Sequence, residues 1–317
     1  MNTTERVIVE QFPFWEKAID IPLPTVEADT YVFVGCGTSY YVAMSLAVAF
    51  NENGKRAIAV AGSEWALRHR SYLSNLIGAV VVGISRSGES TEVVQAVRES
   101  HKLGIRTVAI TCEKDSSMAK AADIVAFAPT HPDEGIVMSS SASLMLLMGL
   151  RMAGVKVEQA VVAGARAAVA AMSEKAPAVA AGRHKFVVLG GGVYFGVASE
   201  GALKLQEMSI SVSQPFHTME YRHGPMSLAD EDMLIVMLYS EDQPGEEAKL
   251  VSELRAKGAK VIGLGGPGDL SLPVATKGLQ RSLEMLAALQ ILGERIANSK
   301  NIDSTQPRHL SKVVVLG

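Results

Sequence analysis

The chain has 317 residues, 48% of them hydrophobic and 20% charged, with a formal net charge of −3. That length accommodates two domains with a core each, and mild acidity without a basic block argues against nucleic acid and against an anionic membrane surface. Cys36 and Cys112 are the only cysteines, too few for a disulfide framework or a cysteine zinc site and suited to a reducing cytoplasm.

Residues 1–10 are polar and charged, unlike a secretory signal. A short helical lead is predicted around residues 12–18, and Ile21-Pro22-Leu23-Pro24 reads as a linker. Strands and helices then alternate. Strand 31–35 precedes helix 40–51, strand 57–61 precedes helix 64–70, and strand 79–85 precedes helix 92–103. Strand 107–111 leads to a short helix near Met118, and strand 124–128 to a long helix over 136–153. This alternation predicts an α/β fold, a doubly wound parallel sheet with right-handed crossovers. The long apolar run carries Ser139, Ser140, Ser141, Ser143 and Arg151, so a buried helix is expected there rather than a membrane span.

Residues 155–181 are alanine-rich and helical in pattern, with a break expected at Pro177. The pattern then restarts. At an offset of 155, Val34-Gly35-Cys36-Gly37 falls on Leu189-Gly190-Gly191-Gly192, and the 79–85 strand falls on 234–240. Self-similarity at one period predicts an internal duplication. The expected division is a first domain over 22–155, a helical linker over 156–182 and a second domain over 183–317, with ligands at the carboxyl ends of the strands.

The candidate site begins where the apolar run Val80-Val81-Val82-Gly83-Ile84 stops in Ser85-Arg86-Ser87-Gly88-Glu89-Ser90-Thr91. A strand–loop–helix junction of this kind points backbone N–H groups and the positive end of a helix dipole at one spot. The serine hydroxyls add donors and Gly88 permits close approach, so an anion, above all a phosphate, belongs there. An N-capped turn is the simpler reading of the same residues. Gly35-Cys36-Gly37-Thr38-Ser39 ends the first strand in the same manner. Tyr40 stands where G-x-G-x-x-G needs its last glycine, so a dinucleotide is not expected. Of Ser139, Ser140 and Ser141, one is explained by capping, and the others are candidates for sugar or phosphate contact.

The second half offers different chemistry. Glu200, Lys204 and Glu207 share one helical face, either as a solvated salt-bridged surface or as an amine and a carboxylate base of tuned pKa. His223, in Glu220-Tyr221-Arg222-His223-Gly224-Pro225, is a candidate general acid–base, while His217 reads as a loop residue. Residues 301–313 read either as a terminal strap or as the carrier of Lys312, which beside an apolar patch suits imine formation. No spacing resembles a metal set, and no metal or cofactor is expected.

Taken together, Gly35–Ser39, Ser85–Ser90, Glu200–Glu207, His223-Gly224-Pro225 and Gln306-Pro307-Arg308 with Lys312 resemble tandem sugar isomerase (SIS) domains. Residues 30–317 are similar to the isomerase lobe of glutamine–fructose-6-phosphate aminotransferases, without the glutaminase domain, since Asn2 follows Met1 where that domain carries its cysteine. The resemblance implies that Ser39, Ser85, Ser87 and Ser90 line a sugar-phosphate pocket with Thr38 and Ser139 alongside. Arg86 stands where the family usually has glutamine. Glu207 would move a proton between C1 and C2 with Lys204 assisting, His223 would open the sugar ring from a neighbouring subunit, and Lys312 would form an imine with the ketose. The implied protein is a cytoplasmic homodimer acting on a small sugar phosphate, as an aminohexose 6-phosphate deaminase/isomerase. A fructosamine-phosphate deglycase, an aldose–ketose isomerase or a sugar-phosphate-sensing regulator are the alternatives.

Overall fold

The computed structural model describes residues 1–314. They form two compact units. One joins Gln11–Glu158 to the tail from His309, and the other joins Met1–Glu10 to Gln159–Arg308.

The chain opens with α1 (Thr3–Glu10), a helix of the second unit. The first unit then runs α2 (Phe12–Ala18), β1 (Thr30–Gly35), α3 (Thr38–Glu52), β2 (Ala57–Ala61), α4 (Gly62–Arg68), β3 (Ala79–Ser85) and α5 (Thr91–Lys102). It ends with β4 (Arg106–Thr111), α6 (Ser117–Ala121), β5 (Ile124–Phe127) and α7 (Ser140–Ala153). Its five strands are parallel in the order β2-β1-β3-β4-β5. Every residue of β1 and β3 is buried, which accounts for their unbroken apolar runs: helices cover both faces, so no position alternates toward water. One face packs Val32, Val34 and Val81 against Trp65, Val93, Val97 and Met118.

The expected helix over 136–153 begins later, at Ser140, because the Glu134 carboxylate accepts from the amides of Ser139 (2.7 Å) and Ser141 (3.0 Å) and fixes the preceding turn. Its residues are almost all buried, as a helix packed on a sheet requires. Among the described residues no helix is long and apolar enough to cross a membrane.

The second unit runs α8 (Ala160–Ala180), β6 (Lys185–Gly190), α9 (Val193–Ser209), β7 (Val212–Phe216), β8 (Met233–Leu238), α10 (Pro244–Ala256), β9 (Lys260–Leu264), β10 (Leu270–Leu272) and α11 (Arg281–Ser299). Its parallel sheet has the order β10-β9-β8-β6-β7, the first sheet's arrangement read from the other edge. The helices after the leading strands start alike as well, from Gly37 (φ 52, ψ −125) and Gly192 (φ 53, ψ −129). β7 carries Pro215 and lies at the sheet edge, where a missing N–H leaves no ladder bond unmade. α1 docks on α11 through Glu5 with Arg295 and through the Asn2 amide, which donates to Glu294 at 2.7 Å.

The break expected at Pro177 does not occur: α8 continues through it to Ala180. Pro177 is exposed in the final turn, so the Ser173 carbonyl that it leaves without an N–H can be satisfied by water, and few residues remain downstream to be displaced by the ring.

Candidate active site

In the first sheet, β1 and β3 are neighbours and are followed by helices on opposite faces, so their carboxyl ends form the crevice at which doubly wound sheets take ligands. Gly35–Ser39 and Ser85–Ser90 both emerge there. Thr38 and Ser39 open α3 and are buried. The Ser85 hydroxyl accepts from the Gly88 amide at 3.1 Å, and the Ser87 hydroxyl from the Glu89 amide at 3.2 Å. Ser90 precedes α5 with no side-chain capping bond. Gly88 has φ +64, and a Cβ on it would lie 2.0 Å from the Ser116 hydroxyl, so only glycine closes this turn without displacing α6. The loop's one acid is tied away from it: Glu89 accepts from the Ser117 amide at 2.7 Å, which holds its carboxyl below the usual range.

Arg86 and the tail meet at the same end of this sheet. Arg86 is buried and donates to the carbonyls of Gly135 (2.7 Å), Ile136 (3.4 Å) and Lys312 (3.0 Å), with the buried Glu134 carboxylate 3.7 Å away. The exposed Lys312 donates from Nζ to the Glu134 carbonyl at 2.7 Å, and the Thr91 amide at the start of α5 donates to the Val314 carbonyl at 3.3 Å. Ser139, Ser140 and Ser141 are buried at the head of α7, and the hydroxyls of Ser140 and Ser141 have no hydrogen-bond partner. The first unit therefore places Thr38, Ser39, Ser85, Arg86, Ser87, Ser90, Ser139 and Lys312 around the carboxyl end of its sheet.

The corresponding loop of the second sheet is already filled by the chain's own carboxylates. The Ser240 amide donates to Glu247 at 2.8 Å, and Glu241 accepts from the Gly278 amide at 2.7 Å while pairing with Arg281 at 3.2 Å. Burial pushes the Glu247 carboxyl up. An added anion would meet like charge here.

The second unit holds the titratable trio on α9. Lys204 is fully buried, Glu200 is 1% exposed and Glu207 is 20% exposed. The Lys204 ammonium pairs with Glu207 and lies 3.3 Å from Glu200. Burial alone would depress this ammonium, but the two carboxylates outweigh it and hold it above the ordinary lysine range. Lys204 is therefore a fixed cation that orients Glu207, not a free amine. Glu207 is the member of the trio that reaches beyond the protein interior and can act as a base. Close helix packing accompanies the burial of Glu200 and Lys204: a Cβ on Gly201 would lie 2.6 Å from Leu289 of α11. His223 is solvent-exposed at the end of the short 3-10 turn Met219–Arg222, and His217 stacks on Phe195 with ring centroids 3.7 Å apart. Among the described residues no cluster of three His, Cys, Asp or Glu side chains could hold a metal.

Two residues that the sequence reading left without a role hold these arrangements together, Glu134 and Glu200. The i, i+4 spacing of Glu200 to Lys204 was visible. Nothing local marks Glu134 as buried, because its partners come from Arg86 and from the turn ahead of α7.

A family model described as "SIS domain" matches residues 26–153 and 181–272, which together include all ten strands found among the described residues. The glutamine–fructose-6-phosphate aminotransferase of Pyrobaculum aerophilum is 29% identical over 309 residues, covering 89% of this chain and 51% of the relative. That of Sulfurisphaera tokodaii is 24% identical over 337 residues, covering 100% and 56%. The chain thus spans about half the length of these sequence relatives. The crystal structure of glucosamine-6-phosphate deaminase from Thermotoga maritima superposes with a TM-score of 0.86 at 30% identity, covering 99% of this chain and 100% of that one. Tagatose-6-phosphate ketose/aldose isomerase from Escherichia coli shares the fold, with a TM-score of 0.83 at 20% identity over 100% and 96% of the two chains. Matches across both sheets and alignments from end to end lead to one conclusion: this chain belongs to the SIS-domain family, with homology to the isomerase part of glutamine–fructose-6-phosphate aminotransferases.

Proposed function

We propose that the protein is an aminohexose 6-phosphate deaminase/isomerase, converting a glucosamine-6-phosphate-type substrate and water to fructose 6-phosphate and ammonia. The observation that carries this reading is the α9 trio, in which a buried ammonium aims one partly exposed carboxylate, Glu207. A solvated surface pair would not be buried, and a sensor that only binds sugar has no use for a carboxylate held in this way.

Each step needs one group. The Ser85–Ser90 junction, with Thr38, Ser39 and Ser139 alongside, holds the phosphate dianion by amides, hydroxyls and the start of α5. His223 assists ring opening, in the neighbouring subunit's site of a homodimer. Glu207 takes the C2 proton of the open aldosamine and returns it to C1, so the C1 aldehyde becomes an alcohol and C2 becomes an imine. Lys204 stays charged and holds Glu207 in place. The Lys312 amine adds at C2, ammonia leaves, and water hydrolyses the lysine imine to the ketone, regenerating the amine. The net change adds water and releases ammonia with no oxidation.

Incubation with glucosamine 6-phosphate tests the reading by ammonia release and by deuterium incorporation at C1 from heavy water. The expected result is turnover that falls on the order of 10²–10⁴-fold in Glu207→Gln with KM little changed. Tight binding of aminohexose and fructosamine phosphates without turnover of either would make the protein a sensor and overturn the proposal.

A further inference from the structure

We infer that Arg86 is the positioning residue for Lys312: its guanidinium clasps the tail to the 134–136 turn and so sets where the lysine amine stands. The inference rests on the proposed reading of Lys312 as the imine-forming amine. Arg86 occupies a phosphate-type loop, yet it donates to carbonyls of two separate segments, Gly135 at 2.7 Å and Ile136 at 3.4 Å on one side and Lys312 at 3.0 Å on the other. The side chain is only 7% exposed, and its charge is balanced by Glu134 at 3.7 Å. To grip a phosphate, the guanidinium would have to release these carbonyls and leave Glu134 buried without its cation.

The tail needs such a clasp. His309, Leu310, Ser311 and Lys312 are all exposed, so burial does little to fix them. The geometry is closed into a ring: Arg86 holds the Lys312 carbonyl, and the Lys312 Nζ returns to the carbonyl of Glu134, the acid that faces Arg86. Glu134 also accepts from the Ser139 and Ser141 amides, so the ring is anchored on the head of α7. A rigid planar fork with five donors can serve both segments at once. A glutamine amide offers two donors and no charge opposite Glu134, and a lysine offers charge without the fork. Arg86 therefore acts through Lys312 and touches no reacting atom.

Arg86→Gln and Arg86→Lys test this through three readouts: hydrogen exchange at the 309–314 amides, borohydride trapping of fructose 6-phosphate on Lys312 read by mass spectrometry, and kcat and KM for glucosamine 6-phosphate. In Arg86→Gln we expect tail exchange to accelerate about tenfold or more, and trapping and kcat to fall on the order of 10–100-fold, with KM within about threefold of the parent. Arg86→Lys should recover part of both. If Arg86→Gln does not fold, the double variant Arg86→Gln with Glu134→Gln removes the unbalanced carboxylate and is read in the same way. A tenfold rise in KM with trapping intact makes Arg86 a phosphate ligand and overturns the inference, as does unchanged tail exchange. Parent protein that neither traps nor turns over the sugar overturns the reading of Lys312 itself, a failure distinct from the other two.

Discussion

Lys204 shows how much one side chain can depend on its neighbours. Replacing it by Met takes the Lys204 ammonium away from Glu200, 1% exposed, and breaking a buried pair in this way costs about 3–5 kcal/mol. Urea unfolding should show that loss at pH 7. Because the two carboxylates hold the Lys204 ammonium above the ordinary lysine range, the folded chain keeps a proton that the unfolded chain releases near pH 10.4. Its stabilisation is full below that value and fades as pH rises through the folded one, so the gap between the parent and Lys204→Met should narrow by pH 11. A constant gap would mean that folding does not raise the Lys204 pKa. The spacing of Glu200, Lys204 and Glu207 was legible in the sequence, but their depth was not. Depth accompanies the packing of Gly201 against Leu289, which come from helices far apart in the chain. The same holds at Arg86, where a loop serine pattern suggested an anion ligand and only the folded chain brings the Gly135, Ile136 and Lys312 carbonyls to the guanidinium.

At the scale of elements, the β3–α5 junction and α8 invite opposite substitutions. Gly88→Ala forces a side chain into φ +64 and within 2.0 Å of Ser116, so it should destabilise by about 1–3 kcal/mol and raise KM for the sugar phosphate about tenfold. Thermal unfolding and steady-state kinetics check the two halves separately. Pro177→Ala restores an N–H to the Ser173 carbonyl inside α8 and should stabilise by about 1 kcal/mol, the helix gain exceeding the entropy returned to the unfolded chain. The strands of both sheets were legible because they are buried on two faces and read as continuous apolar runs. The exceptions have physical reasons. β7 contains Pro215, acceptable only because it is an edge, and the three-residue β10 is too short to carry a pattern. α1 reads as polar because its apolar stripe is just Val7 and Ile8, docked on a helix nearly 300 residues downstream, as the separation of 290 between Glu5 and Arg295 records.

For the whole molecule, the proposed homodimer makes a quantitative demand on His223. If it serves the neighbouring subunit, mixing Glu207→Gln with His223→Ala chains should restore activity. Half of the dimers are then mixed, and each carries one intact site of two, which gives about a quarter of the parent rate. No recovery after verified subunit exchange would place His223 in its own subunit's chemistry or in none. Ending the chain at Arg308 should leave a folded protein that has lost borohydride trapping, since the exposed tail contributes little burial yet carries Lys312.

Each compact unit borrows from the far end of the chain: the Lys204 unit takes its first helix from residues 1–10, and the Ser85 unit takes its strap from His309 onward. During synthesis, the Ser85 sheet must therefore wait for the residues after Arg308 before its clasp can close. Cutting the gene between Glu158 and Gln159 would leave the second product without the helix encoded in the first, so recovery of residues 159–317 should depend on co-expression, whereas the first product loses only its strap.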